Sequence, residues 1–328
     1  MTRITVIAGG VGGARFLRGL RQHLADSGTE ITAVVNTGDD TWLAGLRVCP
    51  DLDSIMYTLG GANDETRGWG RLGETERVSA EMNAYGVGWP WFTLGDLDLG
   101  THIARSSLLR DGLTLTEATS RLASRWDLGV TLLPATNDSV ETHVEIVDPE
   151  TGLVRLIHFE EWWVRHRAKV PARRFVQLGL ELSAASPEAI DAILDADVVL
   201  FAPSNPVVSI GTVLAVPGIS DALRIAAAPV VGVSPIIAGR AVRGMAEACL
   251  AAIGVEATTT AIAAHYGARS RGGVIDGWLV DTADGSSAAV LEHAGIASAA
   301  VPLWMTDVAS TATMARDAID LAASINRR

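Results

Sequence analysis

Apolar residues open the chain as a short continuous run over residues 4–8, and the period then changes. After a glycine-rich stretch, Phe16, Leu17, Leu20 and Leu24 recur at helical spacing, and a second continuous run follows at 31–35. A strand, a tight turn, a helix and a second strand within about 35 residues form a βαβ opening, which builds a parallel sheet. Three later runs, at 196–203, 228–235 and 273–280, are near-continuously apolar, as expected for strands covered by helices on both faces. Between about residues 60 and 175 the rhythm differs. Helical spacing over 113–126 gives way to VETHVEIV and LVRLIHF, which alternate like antiparallel strands about a turn at 149–152. The pattern predicts an α/β fold: a Rossmann-like, doubly wound, mainly parallel sheet in a single domain spanning 1–328, with an α+β lobe inserted at about 60–175. No proline-rich linker, charge block or internal repeat divides the two parts.

Composition narrows the chemistry. A chain of 328 residues, 48% hydrophobic and 20% charged, buries one large core or two smaller ones. Its net charge of -12 repels polyanions, which argues against nucleic acid or an anionic membrane as the main partner. Lys169 is the sole lysine, so any phosphate must be held by backbone amides, arginine forks and metal ions, and a P-loop lysine is excluded. The same arginine-for-lysine bias is what a GC-rich genome produces whatever the function. Cys49 and Cys249 are too few for a disulfide scaffold or a thiolate metal site, which fits a reducing cytoplasm. The N-terminal apolar run is cut short by Arg15, Arg18 and Arg21, so no signal-peptide core is expected. The apolar stretch at 225–239 contains Pro229 and Pro235 and is too short to span a membrane.

Five segments carry candidate chemistry. Gly9, Gly10, Gly12 and Gly13, followed by Arg15, place a tight backbone turn at a helix N-terminus, which suits a phosphate. Arg15 stands where a dinucleotide fingerprint has its last glycine, and no acidic residue ends the second strand, so NAD is disfavoured. Asn36, Asp39, Asp40, Asp51 and Asp53 gather carboxylates beside that loop, a donor set suited to magnesium, with Asp53 alternatively a general base. Asp51 or Asp53 can equally cap the helix through 55–59. The segment from Thr93 through Asp96 to Asp98 precedes a helix on which His102 and Arg105 share a face; structural hydrogen bonding is the ordinary role of such a histidine. Ser204 and Asn205, and then Ser234, Arg240 and Arg243, leave later strands where open parallel sheets bind ligands, and turn chemistry explains them as readily. Trp162 and Trp163 stand beside Arg165, a set for stacking on a heteroaromatic ligand or a subunit partner, with core packing the default. No nucleophile elbow, zinc-type histidine spacing or Cys-His signature is present.

Taken in order, GGVGGARFLRGL, NTGDD, VCPDLDSIMYTLGG, TLGDLDLGTHIARSSLL, NDSVETHVEI, FEEWWVRHRAKVP, APSNPVVSIGTVLAVPGI and VSPIIAGRAVRGMAEACL resemble the 2-phospho-L-lactate transferase family of archaea and actinobacteria. The likeness is greatest to the actinobacterial branch, which uses guanosine diphosphate esters of phosphoenolpyruvate rather than of lactate. It implies a magnesium-dependent step of coenzyme F-420 biosynthesis. In that step the ribityl alcohol of 7,8-didemethyl-8-hydroxy-5-deazariboflavin (Fo) attacks the phosphorus next to the three-carbon acid and releases GMP. A homodimer is also implied. On this resemblance Asp40, Asp51 and Asp53 serve metal binding and alcohol activation, Asp51 and Asp53 being catalytic. Asp53, Thr93, Asp96, His102 and Arg105 fall on the deazaflavin side. The glycine loop faces the diphosphate, Ser204, Asn205 and Ser234 hold guanosine, and Arg15, Arg240 and Arg243 neutralise the leaving phosphate. Thr93 departs from archaeal relatives, which commonly carry a lysine there. A regulatory sugar-nucleotide binder of the gluconeogenesis-factor type is the alternative, and the acidic cluster separates the two, because a pure binder needs no carboxylates beside the diphosphate.

Overall fold

The computed structural model describes residues 1–242 and 244–325. In chain order its strands are β1 (Arg3–Ala8), β2 (Glu30–Val35), β3 (Thr41–Leu43), β4 (Leu46–Val48), β5 (Thr131–Pro134), β6 (Glu141–Val147), β7 (Val154–His158), β8 (Ala172–Leu178), β9 (Val198–Phe201), β10 (Val230–Val233), β11 (Ile236–Ile237), β12 (Arg240–Ala241), β13 (Gly277–Asp281) and β14 (Ala297–Val301). Seven of them pair in parallel in the order β14-β13-β10-β9-β1-β2-β5. From β1 the chain steps outward through β2 to β5, then returns to the other side of β1 and steps outward again from β9. The order reverses between β1 and β9, so the loops leaving these two strands diverge and open a crevice at their carboxyl ends.

Alternation along the central strands feeds two cores. Ile7, Val199 and Phe201 pack on one face, and Val6, Ala8, Val198 and Leu200 on the other. Helix α1 (Gly10–His23) crosses the C-terminal helix Val308–Ile325 on the second face. Gly19 permits that approach, since a Cβ there would lie 2.6 Å from Thr311 Cβ.

The inserted lobe is divided rather than continuous. β5 lies inside the 60–175 stretch yet pairs with β2 in the central sheet. It is four residues long and ends in Pro134, too brief a run to show its period. The chain therefore leaves the sheet twice. The first excursion carries the hairpin of β3 and β4, then α2 (Pro50–Leu59), α3 (Arg77–Ala84), α4 (Asp96–Arg110) and α5 (Leu115–Ala123). The second is the antiparallel sheet β7-β6-β8, whose β6–β7 turn is closed by Asp148 accepting from the amides of Glu150 and Thr151. Val144, Ile146, Ile157 and Trp162 of this excursion share one apolar cluster with Ile7, Val199 and Phe201. Among the described residues no helix is long and apolar enough to cross a membrane.

Candidate active site

β1 ends at Ala8 and α1 begins at Gly10, so the glycine loop is the first turn of a helix; the Gly13 amide donates to the Gly9 carbonyl at 3.1 Å, and the amides before it have no intrahelical partner. Glycine is required by contact as much as by conformation. A Cβ on Gly9 would lie 2.5 Å from Ser209 Cβ, one on Gly10 2.7 Å from Asp51 Oδ1, and one on Gly12 2.8 Å from the Pro203 carbonyl. Gly10 also holds φ at +39°. The loop after β9 and the start of α2 can thus lie against the start of α1. Ser204 Oγ donates to the Gly9 carbonyl at 2.8 Å and accepts from the Gly9 amide at 3.2 Å, locking the two loops together.

A cavity of about 880 Å³ extends from this turn, lined by Gly9, Gly10, Gly12 and Arg15 and continuing past Asp39, Asp51, Asp53, Thr93, Asp98, His102, Glu160, Ser204 and Asn205. Three buried carboxyls converge in it. Asn36, just past β2, donates from Nδ2 to Asp51 Oδ2 at 2.9 Å and to Asp39 Oδ2 at 3.3 Å. Burial pushes Asp51 up to about 6 against the hydrogen bonds from Asn36 and the Gly10 amide. Burial, and then the charges of Asp51 and Glu160, hold Asp39 well above the usual carboxylate range. Glu160 is pushed up to about 8 by burial and by Asp51. Asp39 Oδ1 is buried without a hydrogen-bond partner.

Asp40 and Asp53 are engaged differently. Asp40 is fully buried off the cavity wall and pairs with buried Arg47 at 3.2 Å, and burial outweighs Arg47 to raise it to about 6. Asp53 is gripped by both terminal nitrogens of Arg105, with Nη1 3.0 Å from Oδ2, and their side chains are 5% and 1% exposed. His102 lies between two acids, Nδ1 3.5 Å from Asp53 Oδ2 and Nε2 3.4 Å from Asp98 Oδ2, and Tyr57 donates to Asp98 Oδ1 at 2.7 Å. Ligand atoms of Asp53, Asp98 and His102 fall within 4.8 Å of one another, a spacing compatible with a cation. Arg105 already delivers one positive charge to this group, while His102 Nε2 is buried without a hydrogen-bond partner.

Neither Asp51 nor Asp53 caps α2, which starts without a side-chain cap. Asp98 is not a cap either, because Glu74 accepts from the amides of Leu97 and Asp98. Asp96 stays off the cavity wall and holds the start of α3, accepting from Thr75 and from the Val78 amide. Asn205 reaches the cavity, but its side-chain oxygen accepts from the Val207 and Val208 amides and shapes its own loop. Ser234 is buried and turns the chain after β10 through Ile236. Arg240 is exposed on the β11–β12 hairpin and does not line the cavity. Arg243 lies outside the described residues. Arg105 sits behind Asp53 and reaches the cavity only through it.

Sequence reasoning missed Glu160. It precedes a π-helical turn, Glu161–Arg165, followed by Arg167 and Ala168, both at φ +51°. Such turns are uncommon and tend to occur where function places a side chain. The only signal was the FEEWW segment itself, in which the adjacent tryptophans drew attention.

A family model described as 2-phospho-L-lactate transferase CofD matches residues 4–319. The chain is similar to phosphoenolpyruvate transferases of Kitasatospora aureofaciens, with 55% identity over 98% of each chain, and of Mycobacterium sp. (strain JLS), with 54% identity over 98% of each. The one of Nocardia farcinica (strain IFM 10152) is 53% identical, over 98% of this chain and 95% of the relative. A solved UPF0052-family protein of Bacillus halodurans superposes with a TM-score of 0.60 at 18% identity, covering 97% of this chain and 98% of that one, which establishes the shared fold alone.

Proposed function

Because the chain belongs to the 2-phospho-L-lactate transferase CofD family, and so is a transferase rather than a regulatory nucleotide binder, we propose that it transfers the phosphoenolpyruvyl group from a guanosine diphosphate ester to the ribityl hydroxyl of Fo, releasing GMP. Phosphoenolpyruvate, rather than 2-phospholactate, is favoured by the names of its relatives. The observation that carries the reading is the meeting of an amide-lined helix start and three buried carboxyls in one crevice at the switch point of the sheet.

The first turn of α1 receives the diphosphate, where backbone amides and the helix dipole favour negative charge. Arg15 lies in the same wall and offsets charge on the departing phosphate. Asp39 and Asp51 would hold Mg2+. They fit it, because Asp39 Oδ1 lacks a partner and the crowded acids are displaced upward, both of which a hard divalent cation relieves. A cation held there would supply charge neutralisation to the phosphate oxygens. Asp39 would take the metal role expected of Asp40, because Asp39 lines the cavity and Asp40, paired with Arg47 through Oδ2, does not. Asp53, oriented by Arg105, accepts the proton of the attacking hydroxyl. The new bond joins the ribityl oxygen to the phosphorus bearing the acid, and the bond from that phosphorus to the oxygen of GMP breaks. A cytoplasmic homodimer belongs to the same reading and is checked by light scattering of the purified protein.

The test incubates the protein with Mg2+, Fo and each guanylated three-carbon acid, and reads the phosphodiester product by mass. Product from the phosphoenolpyruvate ester is expected; absence of product with both esters refutes the assignment.

A further inference from the structure

We infer that Asn36 is a positioning residue for the divalent cation: its side-chain nitrogen sets the spacing of Asp39 and Asp51 and acts on the ion only through them. The inference rests on the assignment of the cation to those two acids, proposed above. Asn36 is the residue after β2 and is fully buried. Its backbone amide donates to the Ala8 carbonyl at 2.9 Å, so the central sheet holds its main chain as the strand ends. The side chain is held as well. Its Oδ1 accepts from the Gly38 amide at 2.9 Å, an Asx turn. That contact decides which way the amide faces, because a flipped amide would set Nδ2 against a donor and Oδ1 against two carboxylates.

In this orientation Nδ2 reaches Asp51 Oδ2 at 2.9 Å and Asp39 Oδ2 at 3.3 Å, and it carries one hydrogen for each acid. A third oxygen, the Val208 carbonyl in the loop after β9, lies 3.3 Å away, but it already accepts from Thr212 Oγ1 at 3.0 Å. Asp39 follows β2 and Asp51 opens α2, so no single element fixes the distance between them. Asn36 bridges that gap. Burial raises Asp51, and the Asn36 hydrogen bond is the largest influence against it. The bridge uses only one oxygen of Asp39 and leaves Oδ1, which is buried without a partner, for another ligand. Carboxylates that bind metals are oriented by hydrogen bonds of this kind, and losing one such bond typically costs about 10- to 100-fold in metal affinity.

The experiment compares wild type, Asn36→Ser and Asn36→Asp in the full chain. A serine hydroxyl can still accept from the Gly38 amide and keep the turn, but it is too short to bridge both acids. Mn2+ affinity in the presence of GDP, read by electron paramagnetic resonance, should fall about 10- to 100-fold in Asn36→Ser, while GDP affinity in chelator stays within about threefold. In an Asp39→Asn background the same substitution should cost about threefold or less, because the two residues act through one contact. Asn36→Asp keeps the turn and the shape but sets a third carboxylate against the other two. Mn2+ should therefore raise its melting temperature by more than it raises that of wild type, which decides the matter if Asn36→Ser does not fold. Unchanged Mn2+ affinity in Asn36→Ser, an equal loss in the Asp39→Asn background, or no added stabilisation of Asn36→Asp overturns the positioning role and leaves the metal assignment standing. Wild-type protein that binds no Mn2+ with GDP refutes the metal assignment and the positioning role together.

Discussion

Replacing Arg105 with methionine keeps an unbranched stem of similar reach and removes the guanidinium that grips Asp53. In the native protein Arg105 Nη1 donates to Asp53 Oδ2 at 3.0 Å and to the Arg47 carbonyl at 3.3 Å, while Nη2 bonds the other oxygen of Asp53. Both side chains are nearly inaccessible to water, so Asp53 in the variant is an uncompensated buried charge. Breaking such a pair from one side costs about 3–5 kcal/mol. For 328 residues the unfolding entropy is about 0.7 kcal/mol per degree, so the melting temperature should fall by about 4–7 °C. Thermal and denaturant unfolding of the single variants and of the double variant Asp53→Asn/Arg105→Met complete a cycle. The double variant should recover most of the loss, because neither charge remains, while turnover stays absent. A loss below about 1 kcal/mol in Arg105→Met, or a double variant no more stable than the single one, would refute the buried-pair account and with it the claim that Arg105 orients Asp53.

Asp53→Asn should abolish turnover while GDP affinity, measured by calorimetry, stays within several-fold; undiminished turnover removes Asp53 from proton transfer. Asp39→Asn and Asp51→Asn should each weaken Mn2+ binding in the presence of GDP by about tenfold or more, read by electron paramagnetic resonance. Asp40→Asn should leave that affinity within about threefold, since Asp40 lies off the cavity wall. Glu160 is raised in the folded state from 4.5 to about 8, so the stability it confers is complete below about pH 4.5 and is lost as pH rises through 8. At about 1.36 kcal/mol per pH unit, that gap caps the effect at about 5 kcal/mol. Glu160→Gln should therefore flatten the decline in stability between pH 5 and 8 when unfolding is followed in chelator, and an unaltered slope contradicts the buried, crowded placement of Glu160.

Local pattern in the sequence determined the elements that open the fold. Continuous apolar runs bounded by turn residues mark β1, β2, β9, β10 and β13, and the change of period after Gly13 marks α1, because burial on two faces or on one stripe leaves a periodic trace in the chain itself. The glycine turn was legible for the same reason, since a helix start that must touch another loop admits no side chain. β5 was not, being four residues long, and β14 was not, being made of small, half-exposed residues without a clear period. The acids show the limit most clearly. Asp39, Asp40, Asp51 and Asp53 lie within fifteen residues and look alike in sequence. Only folding assigns them: Arg47 draws Asp40 off the cavity, Arg105 reaches 52 positions back to hold Asp53, and Asn36 turns Asp39 and Asp51 toward one another. Glu160 joins them from the second excursion. A carboxylate's role depends on which charge neutralises it and on how much water it keeps, and both are set by partners distant in the chain.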